Sequence, residues 1–168
     1  RDYLIPNILP VAIDASYWGS TLWYHDHIAD HTAGNVYQGL AGMVQQFDAF
    51  DSDNENDPSP TALRLPSGQY DVPLAFSDYI LNTDGSLFFD QLEDKGQAGN
   101  LFVVNGKIQP YFNVAARKYR FRLLNGSVSR YFKFAVVREI AGTSGEFKGP
   151  TGSNLSYARV PFHMIAND

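Results

Sequence analysis

Cysteine is absent from the sequence, which excludes disulfide bonds and thiolate metal sites within it. Long apolar runs are absent as well: none approaches the roughly 20 residues that a membrane-spanning helix needs, so we expect no membrane span. Basic residues are few, since 13 Lys and Arg stand against 18 Asp and Glu and give a net charge of -5. Nucleic-acid binding depends on clustered Lys and Arg, and we therefore expect no nucleic acid among the partners.

Aromatic residues, in contrast, are abundant. The 168 residues are 44% hydrophobic and include 12 Phe and 10 Tyr. Such a chain can bury the core of one domain or of parts of two. It begins at Arg1 without a signal-like segment. We therefore expect an internal piece of a longer protein, whose compartment cannot be read from its N-terminus.

Local patterns are mostly of the strand type. Tyr119–Leu123 alternates apolar and charged residues, and Tyr131–Val136 is rich in aromatic and branched ones. In the second run we expect Phe132, Phe134 and Val136 to share a buried face. The turn signals that follow strand-like runs are Asp84-Gly85 after Val72–Leu81 and Asn105-Gly106 after Leu101–Val104. No long amphipathic helix with caps is evident, so the sequence predicts an all-β fold of the sandwich or barrel type.

Residues 49–70 depart from this pattern. The segment combines acidic residues and prolines with few large apolar side chains, and it therefore lacks the apolar surface needed to order itself by burial. We interpret it as a linker or a long surface loop. The predicted domains are then residues 1–48 before it and residues 71–168 after it.

Three of the four histidines lie within seven residues, at His25, His27 and His31. In a strand, residues two apart point to the same face, with Cα atoms roughly 6.5–7 Å apart, whereas on a helix they diverge by about 200°. His25 and His27 are thus expected to bind one metal or two neighbouring metals, and imidazole suits copper, zinc, iron and nickel. The alternative is a pair of ordinary, hydrogen-bonded histidines. We expect His31 at the surface, and His163 to be structural or exposed.

Several stretches resemble a known family. Thr21–His27, followed by Asn35–Gly42, is similar to the second copper-binding motif of multicopper oxidases, especially in the bacterial laccase, spore-coat and bilirubin-oxidase-like group. Gly42–Asp48 would then be the last strand of that family's first domain. Similarity to the second domain is found in Asp71–Asp78, Val104–Lys107, Arg117–Asn125 and Phe162–Asp168.

This resemblance implies a cupredoxin-like Greek-key β-sandwich, with the end of one domain in residues 1–48 and most of the next in residues 71–168. It implies an oxidoreductase that couples one-electron oxidation of a small reducing substrate (a phenol, an aromatic amine or a metal ion) to four-electron reduction of dioxygen to water. The remaining domains of the parent protein would complete its copper sites, a trinuclear cluster and a mononuclear centre. An extracytoplasmic or secreted location is implied too, because export is common in the family.

The resemblance also assigns roles to residues. His25 would bind one of the paired coppers of the trinuclear cluster, and His27 would bind the other. Asp26 should point to the opposite strand face, where it would hydrogen-bond or relay protons behind the ligands, or else be a structural carboxylate. Trp23 would share the ligand face. We expect no catalytic role for three arginines that would form a solvated or ion-paired strand face: Arg117, Arg120 and Arg122.

Two other functions fit parts of the pattern. Metallo-β-lactamase-like zinc hydrolases carry His-x-His-x-Asp-His, but here Asp30 and His31 come one residue too late after His27. That shift turns both side chains in other directions than such a site requires. The second alternative is a non-catalytic cupredoxin-like binding module in which the histidines are incidental.

Overall fold

The structure is a computed structural model that describes residues 21–93, 96–139 and 157–165. These residues fall into two compact units, divided after Tyr131. The first unit contains β1 (Thr21–His25), α1 (Thr32–Tyr37), β2 (Ala41–Gln45), a 3-10 turn (Gly68–Tyr70), β3 (Asp71–Leu81), β4 (Leu87–Phe88), β5 (Leu101–Val104), β6 (Lys107–Ile108) and β7 (Arg120–Asn125). The second contains β8 (Val136–Glu139) and β9 (Tyr157–Val160). Strands dominate, as the sequence predicts, and none of the helices in the described ranges is long and apolar enough to cross a membrane.

The histidine motif begins at the end of the first strand of a small antiparallel hairpin: His25 is the last residue of β1, and His27 lies in the loop that follows. Strands β1 and β2 pair from Thr21 opposite Gln45 to His25 opposite Ala41, and α1 lies in the connection between them. The hairpin requires Gly42 in β2, because a Cβ atom there would lie 2.6 Å from the ring of Tyr24 on β1. The glycine therefore lets an aromatic ring lie flat across the neighbouring strand.

The main sheet is built around β3. Its second half pairs antiparallel with β5, and its first half pairs in parallel with β7, from Asp71 opposite Arg120 to Phe76 opposite Asn125. Strands β5 and β6 are joined by a tight turn in which Asn105 and Gly106 both have positive φ, 49° and 74°. That conformation is the one Asn-Gly favours in two-residue hairpins. The turn predicted from this dipeptide is confirmed.

The two faces of β7 differ from a simple apolar-inside arrangement. Arg122 is only 4% exposed, whereas the alternating apolar residues Phe121 and Leu123 are each 46% exposed. The arginines Arg120 and Arg122 form ion pairs, so the ion-paired alternative is the correct one for them. The face of β7 that carries these arginines can be buried because acidic residues neutralise their charges.

The acidic segment at residues 49–70 contains no α-helix or strand, but it is attached to the main sheet. Asp51 is buried and lies 2.5 Å from the guanidinium of Arg120. Glu55 pairs with Arg117 at 2.5 Å, and Ala62 is also buried. Charge pairing thus orders a segment that apolar burial alone would leave loose. Its role as a domain boundary stays a prediction.

Two strands predicted in the last part of the sequence differ from the strands of the structure. The aromatic run at residues 131–136 joins a strand only at Val136, because the ladder with β9 covers Val136–Glu139. Phe134 and Val136 are exposed instead of sharing a buried face. The strand predicted around His163 ends earlier, at Val160. Pro161 follows, and its missing N–H cannot continue a ladder. Residues 166–168 of that prediction lie outside the described ranges.

Candidate metal centre

His25 and His27 lie with their rings side by side at the closed end of the β1/β2 hairpin. Their ring centroids are 4.5 Å apart and their planes are tilted by 37°. The ring of Trp23 lies 4.3 Å from that of His25 on the other side. Alternation along β1 explains the Trp23–His25 contact, because residues two apart share a strand face. Three rings therefore form one row, with the two imidazoles at its end.

The hydrogen bond of His25 selects its free nitrogen. Nδ1 lies 2.7 Å from the backbone carbonyl oxygen of Asp26. A carbonyl oxygen only accepts, so Nδ1 carries the proton and donates it. Nε2 then keeps its lone pair, which is the arrangement that metal-ligating histidines use. His25 is half-buried and His27 is exposed, so the pair is accessible to an ion.

Asp26 shapes the loop that follows β1. Its Oδ2 accepts a hydrogen bond from the amide of Ile28 at 3.0 Å, while the Thr32 hydroxyl donates to its backbone oxygen at 3.0 Å. The Ile28 amide is the main cause that lowers the pKa of Asp26. Oδ1 is buried, and hydrogen bonds from the side chains of Asn35 and Thr32 lower the pKa further. The carboxylate is therefore charged at neutral pH and turned toward its own loop.

The other two histidines lie elsewhere in the sequence and the fold, and each has its own surroundings. His31 is the residue before α1, where its amide donates to the carbonyl oxygen of Ile28 at 3.1 Å and its side chain is exposed. His163 lies in the second unit and is also exposed. In the part of the chain that the structure describes, no group of three or more His, Cys, Asp or Glu residues could hold a metal ion. His25 and His27 fit copper as a partial set of ligands that needs donors from elsewhere.

Tyr37 is a structural contributor to the site that the sequence pattern did not single out. It is 3% exposed, and its hydroxyl lies 2.7 Å from the amide nitrogen of Ile80, which donates to it. Its ring packs against Tyr79 and Phe89, each at 5.0 Å between centroids. These contacts fix α1, and with it the histidine loop, against β3. The only signal in the sequence is an aromatic residue in a short polar stretch, which predicts no particular partner.

Comparison with known proteins finds oxidases. The chain is 38% identical over 130 residues to a laccase of Bacillus subtilis (strain 168), which covers 70% of this chain and 24% of that protein. It is 33% identical over 170 residues to a bilirubin oxidase of Albifimbria verrucaria, which covers 94% of this chain and 27% of that protein. Among solved structures it is similar to the 2F4 variant of the McoA multicopper oxidase from Aquifex aeolicus, with a TM-score of 0.58 and 34% identity over 67% of this chain and 24% of that one. No family model matches the chain.

The chain spans 24% to 27% of the length of these relatives. The structural match confirms the predicted all-β, cupredoxin-like fold class. The matches favour neither the zinc hydrolase nor the non-catalytic module. In both sequence and fold, this chain belongs to the multicopper oxidase family.

Proposed function

We propose that this chain supplies two ligands, His25 and His27, to the paired coppers of the trinuclear cluster in a multicopper oxidase. The proposal rests on one observation: two imidazole rings lie 4.5 Å apart on one side of the hairpin end. The hydrogen bond from His25 Nδ1 to the Asp26 carbonyl, which leaves Nε2 available, supports it. The similarity to laccases and a bilirubin oxidase supports copper over the other metals that imidazole binds.

When bound, copper would supply the one-electron redox chemistry that links oxidation of a reducing substrate to reduction of dioxygen to water. The residues of this chain would hold the metal ion and keep its histidine ligands in a fixed orientation. His25 is fixed between the ring of Trp23 and the carbonyl of Asp26, so little side-chain entropy remains to be lost when its Nε2 meets an ion. The ring of Trp23 also packs against the ring of His25.

Asp26 is proposed to assist proton delivery behind the ligands. Its carboxylate is adjacent in sequence to both histidines, and its Oδ2 lies within hydrogen-bond distance of the Ile28 amide and the Thr32 hydroxyl. A carboxylate can accept a proton from water and pass it on. Its hydrogen bonds to Ile28 and Thr32 give it a second task, the shape of the loop.

The rest of the activity belongs to the full-length protein. Its remaining domains are proposed to supply the further copper ligands and the surface that meets the reducing substrate, a phenol, an aromatic amine or a metal ion. Dioxygen would be the other substrate. An extracytoplasmic or secreted location stays a prediction from the family resemblance.

The test of the proposal is His27→Ala in the full-length protein, with His31→Ala as the matched control. Both substitutions remove one exposed histidine from the same loop, but only the first removes a proposed ligand. We expect His27→Ala to lose bound copper and oxygen consumption while His31→Ala keeps both, measured by metal analysis and an oxygen electrode. Unchanged copper content in His27→Ala would contradict the proposal.

A further inference from the structure

Arg122 connects the main sheet to the open end of the histidine hairpin. It lies on β7, and its guanidinium forms a fork with Asp71 at the start of β3, with Nε 2.9 Å from Oδ1 and Nη2 2.7 Å from Oδ2. The remaining nitrogen, Nη1, donates to the hydroxyl of Thr21 at 2.7 Å. Thr21 is the first residue of β1, and it is 101 positions away from Arg122 in the sequence.

The charge on Arg122 is balanced inside a buried cluster. Arg120 lies 2.5 Å from Asp51 and 3.5 Å from Asp71, and Arg122 lies 3.9 Å from Asp51. Two guanidinium groups thus meet two carboxylates, and all four side chains are at most 11% exposed. A planar guanidinium held by a two-point fork has a fixed direction. Asp71 therefore determines where Nη1 of Arg122 points.

The hairpin is held at two separate places. At the open end, Arg122 binds Thr21 and also lies over the ring of Phe47, just beyond β2, at 5.2 Å. Near the closed end, Tyr37 binds the amide of Ile80. Thr21 and His25 are four residues apart on one rigid strand, which spans about 13 Å. A tilt of the open end would therefore move the imidazole rings.

We propose that Arg122 is a positioning residue for the copper ligands, acting through the hydroxyl of Thr21. The proposal rests on the proposed function of His25 and His27. Asp71 fixes the orientation of the Arg122 guanidinium, and the hydrogen bond from this guanidinium to the Thr21 hydroxyl then fixes the position of β1. The arginine itself touches neither histidine ring.

The sharpest test is Thr21→Val in the full-length protein. Valine keeps the shape and strand preference of threonine but cannot accept the hydrogen bond, and the Arg122–Asp71 fork stays in place. Thr21→Ser restores the hydroxyl and is the rescue variant. Arg117→Ala is the control, since it removes an exposed arginine paired with Glu55 in the same unit. Two quantities are measured: copper affinity, by competition with a chelator, and amide hydrogen exchange along β1 in the copper-free protein.

We expect Thr21→Val to bind copper about 10-fold more weakly, the lower end of the effect of losing a group that orients a metal ligand. Amides of β1 should exchange faster in the copper-free protein, and Thr21→Ser and Arg117→Ala should match the parent in both measurements. If His27→Ala loses copper but Thr21→Val changes neither quantity, the positioning role is wrong and the proposed function stands. Failure of Thr21→Ser to rescue also overturns the role. If His27→Ala keeps its copper, the proposed function fails, and this inference fails with it.

Discussion

At the residue scale, the clearest electrostatic feature away from the histidines is Asp78 on β3. Its side chain is 1% exposed, and its Oδ2 accepts from the amide of Gly99 at 2.6 Å and from Nε of Arg130 at 2.7 Å. Burial alone would raise the pKa of Asp78, but the hydrogen bonds from Arg130, Ser127 and Gly99 outweigh it and leave the pKa below its usual range. This carboxylate therefore ties two loops to the centre of the main sheet.

The lowered pKa of Asp78 predicts a pH-dependent contribution to stability. Because the pKa is lower in the folded state than in the unfolded one, where it is about 3.9, the contribution is complete above that value. It is lost as the pH falls through the folded-state pKa. Asp78→Asn should lower the free energy of unfolding by about 1–3 kcal/mol at pH 7, and the difference from the parent should shrink in acid.

Urea unfolding of the parent and of Asp78→Asn at neutral and acidic pH measures this effect. Asp53→Asn is the matched control, because Asp53 is exposed and has a φ of 54° that asparagine also adopts. It should unfold like the parent at both values. A difference for Asp78→Asn that grows as the pH falls would contradict the assigned pKa direction.

At the scale of elements, α1 is a short helix that local preference does not explain. It has six residues, no side-chain cap at His31 and no charged residue that favours its ends, and isolated helices of this length are not stable in water. Tyr37, its buried residue, attaches it to β3 and to Phe89. The helix therefore exists because of a tertiary contact.

Tyr37→Phe tests this attachment. The substitution keeps the ring packing and removes the hydroxyl, so the Ile80 amide loses its acceptor. We expect a loss of about 1 kcal/mol in the free energy of unfolding, measured by chemical denaturation. Tyr111→Phe is the control, because Tyr111 is 88% exposed, and it should change nothing. Equal effects of both substitutions would show that the Tyr37 hydroxyl does not hold α1.

Some of the strands can be predicted from local sequence signals, and others cannot. Strand β3 and the turns at Asp84-Gly85 and Asn105-Gly106 follow from local signals, since turn geometry depends on residues within the turn. Strand β8 does not follow from such signals. Its predicted run of aromatic residues ends where β8 begins, because pairing with β9 selects the strand residues, and strand preference depends on such neighbours.

At the scale of the whole molecule, large apolar side chains remain exposed in this chain. Leu92 is 91% exposed, Tyr131 97%, and Phe121 and Leu123 on β7 are each 46% exposed. Exposed apolar patches mark surfaces that another partner covers, and they cause association when left open. The 168-residue chain by itself should bind a hydrophobic dye and associate as its concentration rises. The full-length protein should do neither at equal molar concentration. Fluorescence titration and sedimentation check this, and a monomeric, dye-free isolated chain would contradict it.

The sequence by itself determined the all-β class and the strand that ends at His25, whereas His27, which the spacing predicts on that strand, lies in the loop beyond it. Both of these features depend on alternation and on turn residues a few positions apart, which the backbone geometry converts directly into side-chain direction. The tertiary structure decided which face of β7 is buried and how the hairpin is held. Local sequence predicts a strand arginine at the surface for Arg122. In the fold, Asp71, 51 positions away, neutralises its charge, and Thr21, 101 positions away, accepts a further hydrogen bond. Burial of a charge depends on partners brought together by folding, and no local pattern encodes them.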